Sequence, residues 1–448
     1  MTALTLAILL IVLALFVGLL SIRLHVGLSL LTSALVGVVL LRGTGAGVST
    51  VANQPFSTAA SYSLTVIPLF IVMGVFAVRA GLAQTGFDLA SRALRRVPGG
   101  TALASLSGSG LFAAVTGSSV ATVATMARVS TDAIVSAGHG LRLAAGVVCA
   151  GGTLGVLIPP SIVLVLYGVV TEESIGQLLL AGVGPGLVTI AVYAATVVLV
   201  VSRQRARTPV PAGGDVAATP SGDTPPAPRL DLVGFAYLVV IFAVSIGTIY
   251  LGVATPTEAA SFGAVTALVV LLLRTHPPQW VRAIGDSLSE AVGLTAMTFL
   301  LMTGAGVFTY FLALTGASSS LVEWVLGQDL PAYVVLIVCL LLLLPLGMFL
   351  DGISMILIAG PLLHPILVGY GFDGIWLGVL IVKVAEMALI TPPVGMNAFV
   401  YSGAVPEAGL GRVFRGIVPF ILADLVVVAL LIAFPAIVTW LPAMSAAA

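Results

Sequence analysis

The sequence predicts an all-α polytopic membrane protein made of two oppositely oriented copies of one unit, each with five crossings and one re-entrant hairpin. Three observations predict it. They are an apolar composition carried in long runs, an internal repeat, and the placement of the arginines.

Composition comes first. Of 448 residues, 59% are hydrophobic and 8% charged, whereas soluble domains carry about 25% charged residues. Apolar runs of about 18 or more residues recur along the chain, long enough to cross hydrocarbon as helices. The first run, Ala3 to Leu20, has no Lys or Arg before it. It lacks the basic start of a secretory signal and is expected to be a retained crossing. Net charge is zero and the basic residues are scattered, which excludes a nucleic-acid partner and a polybasic surface patch. Cys149 and Cys339 sit inside apolar runs and read as small core residues rather than a disulfide framework.

The segment 203–230 breaks the pattern with Pro, Gly, Asp and Thr and reads as a linker. It separates a first unit, 1–202, from a second, 231–448. The units repeat at nearly one offset. Gly74-Val75-Phe76 matches Gly306-Val307-Phe308, and Gly117 with Ser119 matches Gly352 with Ser354. Gly138 and Gly140 match Gly369 and Gly371, Pro159-Pro160 matches Pro392-Pro393, Tyr167 matches Tyr401, and Gly182/Pro185 matches Gly416/Pro419. Six ordered matches point to duplication.

Short cytoplasmic loops collect Lys and Arg. Arg203, Arg205 and Arg207 therefore put the linker inside, together with Arg23, Arg79, Arg92, Arg95, Arg96, Arg142, Arg274, Arg282, Arg412 and Arg415. The uncharged stretch Gly43 to Ser63, expected to be a loop, falls outside, as do Glu258, Glu323 and Asp329. Arg42 alone is misplaced. This assignment requires 101–136 and 331–369 to enter and leave on one side. Each is expected to be a re-entrant hairpin, the first opening to the cytoplasm and the second to the periplasm. The remaining elements are scaffold helices over 1–80 and broken helices over 141–171 and 374–402. Inverted repeats are a recurring basis of alternating access.

Bare backbone groups are tolerated at membrane depth only where protein or a wet cavity satisfies them. Four breaks are expected: the hairpin tips Thr116-Gly117-Ser118-Ser119 and Asp351-Gly352-Ile353-Ser354, and the proline pairs Pro159-Pro160 and Pro392-Pro393. Proline removes a donor and clashes with the preceding turn, so each pair opens a helix and frees carbonyl oxygens. Such oxygens suit sodium, and the amides at a half-helix start suit a carboxylate. Thr116, Ser118, Ser119, Ser354, Thr391 and Asn397 are neutral groups able to hydrogen-bond ion or substrate. Asp351 at a hairpin tip is expected to be paired, ion-bound or protonated, the alternative being a solvated cap in the periplasmic cavity. Lys383 and Glu386, one turn apart, are expected to pair with each other, the alternative being a role in ion coupling or in holding a substrate carboxylate. Gly, Ser and Pro also serve close packing and kinks, but packing gives no reason for a matched set of breaks in both units. Arg128 is expected to snorkel to the surface, and His139 and His364 to be structural.

At these residues the sequence resembles the large membrane subunit of the tripartite ATP-independent periplasmic transporters, the dicarboxylate transporter M-subunit family. The likeness is carried by FAAVTGSSVATVATMA (112–127), GGTLGVLIPPSIVLVLYG (151–168), TEESIGQLLLAGVGPG (171–186), GMFLDGISMILIAGP (347–361) and EMALITPPVGMNAFV (386–400). It implies an elevator-type carrier of the ion-transporter superfamily in the bacterial inner membrane. It further implies sodium-driven import of an organic acid handed over by a periplasmic binding protein, and a small four-helix membrane subunit, expected here as a separate chain. Transferred by position, the ion region falls on Gly117, Ser118, Pro159, Gly352, Thr391 and Pro392. The substrate contacts are expected from Thr116, Ser118, Ser119, Asp351, Ser354 and Asn397.

The sequence departs from the family at Thr131-Asp132, Gly138-His139, Ala388 and Lys383. The alternative is a sodium-coupled carboxylate carrier that takes substrate straight from solution. An intramembrane serine protease built on Ser118 or Ser119 lacks a base within reach, since His139 is expected at the membrane surface. A pure scaffold would have no use for paired breaks, and no enzyme activity is expected.

Overall fold

The computed structural model describes residues 3–94, 96–207, 231–348 and 350–446, and every regular element among them is helical. The first unit contributes α1 (Ala3–Ser21), α2 (Val26–Arg42), α3 (Thr44–Ala59), α4 (Val66–Arg79), α5 (Leu82–Leu94), α6 (Gly100–Thr116), α7 (Ser119–Ser136), α8 (Leu141–Thr153), α9 (Ile162–Thr171), α10 (Ile175–Ala181) and α11 (Val183–Arg207). The second contributes α12 (Leu232–Tyr250), α13 (Pro256–Arg274), α14 (Trp280–Thr315), α15 (Ala317–Leu326), α16 (Ala332–Gly347), α17 (Gly352–Gly369), α18 (Gly374–Ala388), α19 (Met396–Ala404), α20 (Leu410–Ala433) and α21 (Ala436–Ala446). Eight helical stretches among the described residues are long and apolar enough to cross a membrane.

Two expectations change. The stretch Gly43 to Ser63 is mostly helix, because α3 spans it and buries Gly47, Thr50 and Thr58. It packs on α2 and α14, so tertiary contact stabilises a segment whose sequence has no apolar run. The linker also begins later than residue 203, since α11 runs through Arg207. Residues 208–230 lie outside the described residues.

The helix ends follow from local chemistry. Gly117 closes α6 in the left-handed region, at φ 62°, and donates its N–H to Ala113, a conformation that costs glycine nothing. Ser118 then caps α7 by accepting from Ala121 N at 3.3 Å. Ser161 caps α9 and Asp373 caps α18 in the same way. Both proline-pair peptide bonds are cis. Asp231 caps α12 by accepting from Gly234 N at 2.8 Å, and also accepts from Arg274 at 2.6 Å and Thr85 at 3.0 Å. Burial pushes its carboxyl up, but those bonds outweigh burial and hold it below the ordinary value.

Packing divides the helices into two groups. α2 lies along α14 and α4 along α13, with α1 and α12 outside them. The hairpins α6–α7 and α16–α17 pack with the interrupted helices α8/α9 and α18/α19. The outgoing arm of each hairpin meets the second segment of the other unit's interrupted helix, α7 on α19 and α17 on α9. α8 and α20 meet backbone to backbone at Gly146 and Gly416. Pro419 has no N–H for the Arg415 carbonyl, and Arg142 Nε donates to that oxygen instead, at 3.0 Å. From Ile375 to Ala388 every residue of α18 is buried, as expected for a helix apolar on nearly all sides. Lys383 and Glu386 are therefore carried into the interior.

Candidate functional site

The first hairpin tip sits against the first proline break. A side chain on Gly117 would meet Ile162, one residue into α9, at 2.9 Å. The Ser118 hydroxyl is engaged as the cap of α7, and its carbonyl accepts from Thr122 Oγ1 at 2.8 Å. Ser119 is buried and donates its hydroxyl to the carboxylate of Glu386. Pro159 is buried in the turn between α8 and α9. Thr116 ends α6, and its side chain lies outside the described residues.

At the second tip, Asp351 precedes α17 and accepts from the hydroxyl of Ser354, which is fully buried. Gly352 faces the same glutamate that Ser119 reaches: a side chain on Gly352 would lie 2.9 Å from Glu386 Oε1. Glu386 thus stands between the two hairpin tips. At the second break, Thr391 donates to Met387 O at 2.7 Å, and Pro392 is exposed.

Asn397, at the start of α19, bonds across to α8, close to the first hairpin tip. Its Nδ2 reaches Cys149 O on α8 at 3.5 Å. A side chain on Gly152 would touch both Ser119 O, at 3.0 Å, and Asn397 Nδ2, at 3.7 Å. Asn397 Oδ1 is buried with no hydrogen-bond partner. A buried carboxamide oxygen left bare is costly, and it suits a hard cation. Next to it, Tyr401 and Thr131 share a bond of 3.0 Å that ties α19 to α7.

The expected Lys383–Glu386 pair does not form. Lys383 Nζ binds Asp424 Oδ1 at 2.5 Å, and both side chains have zero exposure. Tyr193 donates to the same oxygen at 2.6 Å, and Thr153 meets Tyr193 OH at 3.2 Å. Positions three apart on a helix diverge by most of a quadrant, and the facing helices decide: α20 presents Asp424 to Lys383, while Glu386 meets Ser119. Asp424 and Tyr193 escaped the sequence reading. The available signal was an acid inside the apolar run 417–433, since an ionisable residue within a span marks a site by default. His364 bonds Tyr167 OH at 2.8 Å and lies 3.6 Å from Glu173, which ties α17 to the end of α9. Both cysteines are free and buried.

Two helical hairpins with polar tips converge on interrupted helices among membrane-length spans. The family model described as the tripartite ATP-independent periplasmic transporter, DctM component, matches residues 13–437. The chain belongs to this family. Among DctM-family relatives, it is 35% identical over 400 residues to the C4-dicarboxylate TRAP transporter large permease protein DctM of Pseudomonas aeruginosa, covering 89% of each chain. It is 28% identical to the sialic acid TRAP transporter large permease protein SiaM of Vibrio cholerae, covering 95% of this chain and 96% of that one. In fold, this DctM-family chain matches the crystal structure of the Alcanivorax borkumensis YdaH transporter with a TM-score of 0.66. That match has 13% identity and covers 95% of this chain and 99% of the other. The family and the eight membrane-length stretches make the chain a multi-pass integral membrane protein.

Proposed function

We propose that this chain is the large membrane subunit of a sodium-coupled importer of an organic acid, a dicarboxylate or related carboxylate. A periplasmic binding protein delivers the substrate, and a small four-helix membrane subunit completes the complex in the inner membrane. The two units act as inverted copies, and the hairpins with their interrupted helices move as one body against the α2–α4–α13–α14 scaffold. The exchanged contacts, α7 on α19 and α17 on α9, support this reading of the repeat.

The observation that carries the proposal is the convergence of both hairpin tips on Glu386, with the bare Asn397 Oδ1 alongside the first tip. Backbone oxygens around Gly117, Ser118 and Pro159, and around Gly352, Thr391 and Pro392, would hold sodium. Thr116, Ser118, Ser119, Asp351, Ser354 and Asn397 would face the substrate carboxylates. The named relatives carry C4-dicarboxylates and sialic acid, and a carboxylate is common to both.

Reconstitution with the small subunit and the binding protein tests the proposal. An inward sodium gradient should drive uptake of a labelled dicarboxylate, uptake should stop without the binding protein, and Ser118→Ala and Thr391→Ala should weaken the sodium response. Uptake indifferent to sodium would overturn the coupling. Uptake without the binding protein would make the chain a free-standing carrier.

A further inference from the structure

The Lys383–Asp424 pair plays no part in the proposed ion and substrate contacts, yet it is the only ion pair with two fully buried partners among the described residues. It joins α18 to α20, and Tyr193 adds α11. The Tyr193 ring centroid lies 5.3 Å from Lys383 Nζ, and the Tyr193 hydroxyl donates to Asp424 Oδ1. Asp424 Oδ2 is buried without a hydrogen-bond partner.

Packing does not account for such a pair. Apolar residues of similar volume fill a buried ion-pair site as well or better, whereas one partner left alone is an expensive uncompensated charge. An ionised carboxylate in a membrane interior needs a compensating cation, where a neutral acid would need only a hydrogen bond. Here the cation is covalent. One turn further along the same buried helix, Glu386 has a hydroxyl partner in Ser119 and, among the described residues, no ammonium or guanidinium within ion-pair distance. The interior of α18 and α20 therefore holds two carboxylates, Asp424 and Glu386, and one fixed positive charge.

We propose that the Lys383 ammonium occupies a monovalent-cation site facing Asp424, as a tethered counter-ion in place of a diffusible one, so that the core binds one cation fewer than its carboxylates require. This inference deepens the cation-coupled reading and rests on it for its transport consequence. Asp424 supplies both oxygens, one shared with Tyr193 and one bare, and the Tyr193 ring supplies the cation-facing wall.

Lys383→Ala keeps Cβ and vacates the ammonium with the three outer methylenes of its stem, and ethylammonium is a probe small enough to enter the space they leave. The purified variant should show a saturable rise in melting temperature of about 2 °C or more with ethylammonium chloride, against choline chloride at equal ionic strength. Wild type and Lys383→Met/Asp424→Asn should show none. In proteoliposomes, ethylammonium should restore uptake to the Lys383→Ala variant. No saturable shift, or an equal shift in the double variant, overturns the proposal. So does a Lys383→Ala protein that folds in no cation beside a double variant with wild-type sodium-driven uptake, because the pair is then only structural. The melting readout needs no transport, so a cation-filled Lys383→Ala site in a protein without sodium-driven uptake would sink the coupling and leave the site standing.

Discussion

The hydroxyl of Ser119, at the tip of the first hairpin, donates to the carboxylate of Glu386 on α18, 267 residues further along the chain. Gly352, opening the outgoing arm of the second hairpin, abuts the other oxygen of that carboxylate. One buried acid therefore stands against both tips, hydrogen-bonded to the first and close to the backbone of the second.

Ser119→Ala should remove the donor and leave the Glu386 oxygen bare, at a cost of about 1–3 kcal/mol. Melting temperature and sodium-driven uptake are both expected to fall, and Ser119→Thr should recover part of each. Wild-type values in Ser119→Ala would show that the bond carries nothing.

Gly352→Ala places a methyl group 2.9 Å from Glu386 Oε1. The carboxylate must give way, and the Ser119 bond is disturbed with it. Uptake should fall by about tenfold, equivalent to roughly 1.4 kcal/mol, with membrane insertion unchanged. An uptake assay beside a quantitative membrane blot checks both.

Tyr401→Phe deletes the bond to Thr131 that fastens the outgoing arm of the first hairpin to α19. A loss of about 1 kcal/mol should appear as faster amide exchange along α7. Unchanged exchange there would mean that apolar packing alone holds the arm.

The Asp231 clasp predicts a pH dependence with a definite sign. Its carboxyl is held below the ordinary value, so its contribution is fully present above the unfolded-state value of about 3.9 and is lost as pH falls through the lower folded-state value. Wild type should therefore lose melting temperature more steeply than Asp231→Asn as pH drops below about 4. Parallel curves would remove Asp231 from the account.

The interruptions of the helices were legible in the sequence because their causes are local. Pro159-Pro160 and Pro392-Pro393 each remove two successive backbone donors, and α8 and α18 stop before them while α9 and α19 start after them. Gly117-Ser118 and Asp351-Gly352 likewise carry the turn and cap chemistry of the two tips. α3 was less legible: its residues are not apolar enough for a span and include the turn formers Gly45, Gly47, Asn53 and Pro55, so its helix depends on what it packs against.

By itself, the sequence determined that this chain crosses the membrane many times and where its helices break, since apolar length and missing backbone donors act within one segment. The tertiary structure alone decided partners: Lys383 with Asp424 instead of Glu386, Glu386 with Ser119, and Asn397 with Cys149 on α8. A helix displays side chains around its whole circumference, and spacing along the chain fixes their angles but not which neighbouring helix stands opposite each one.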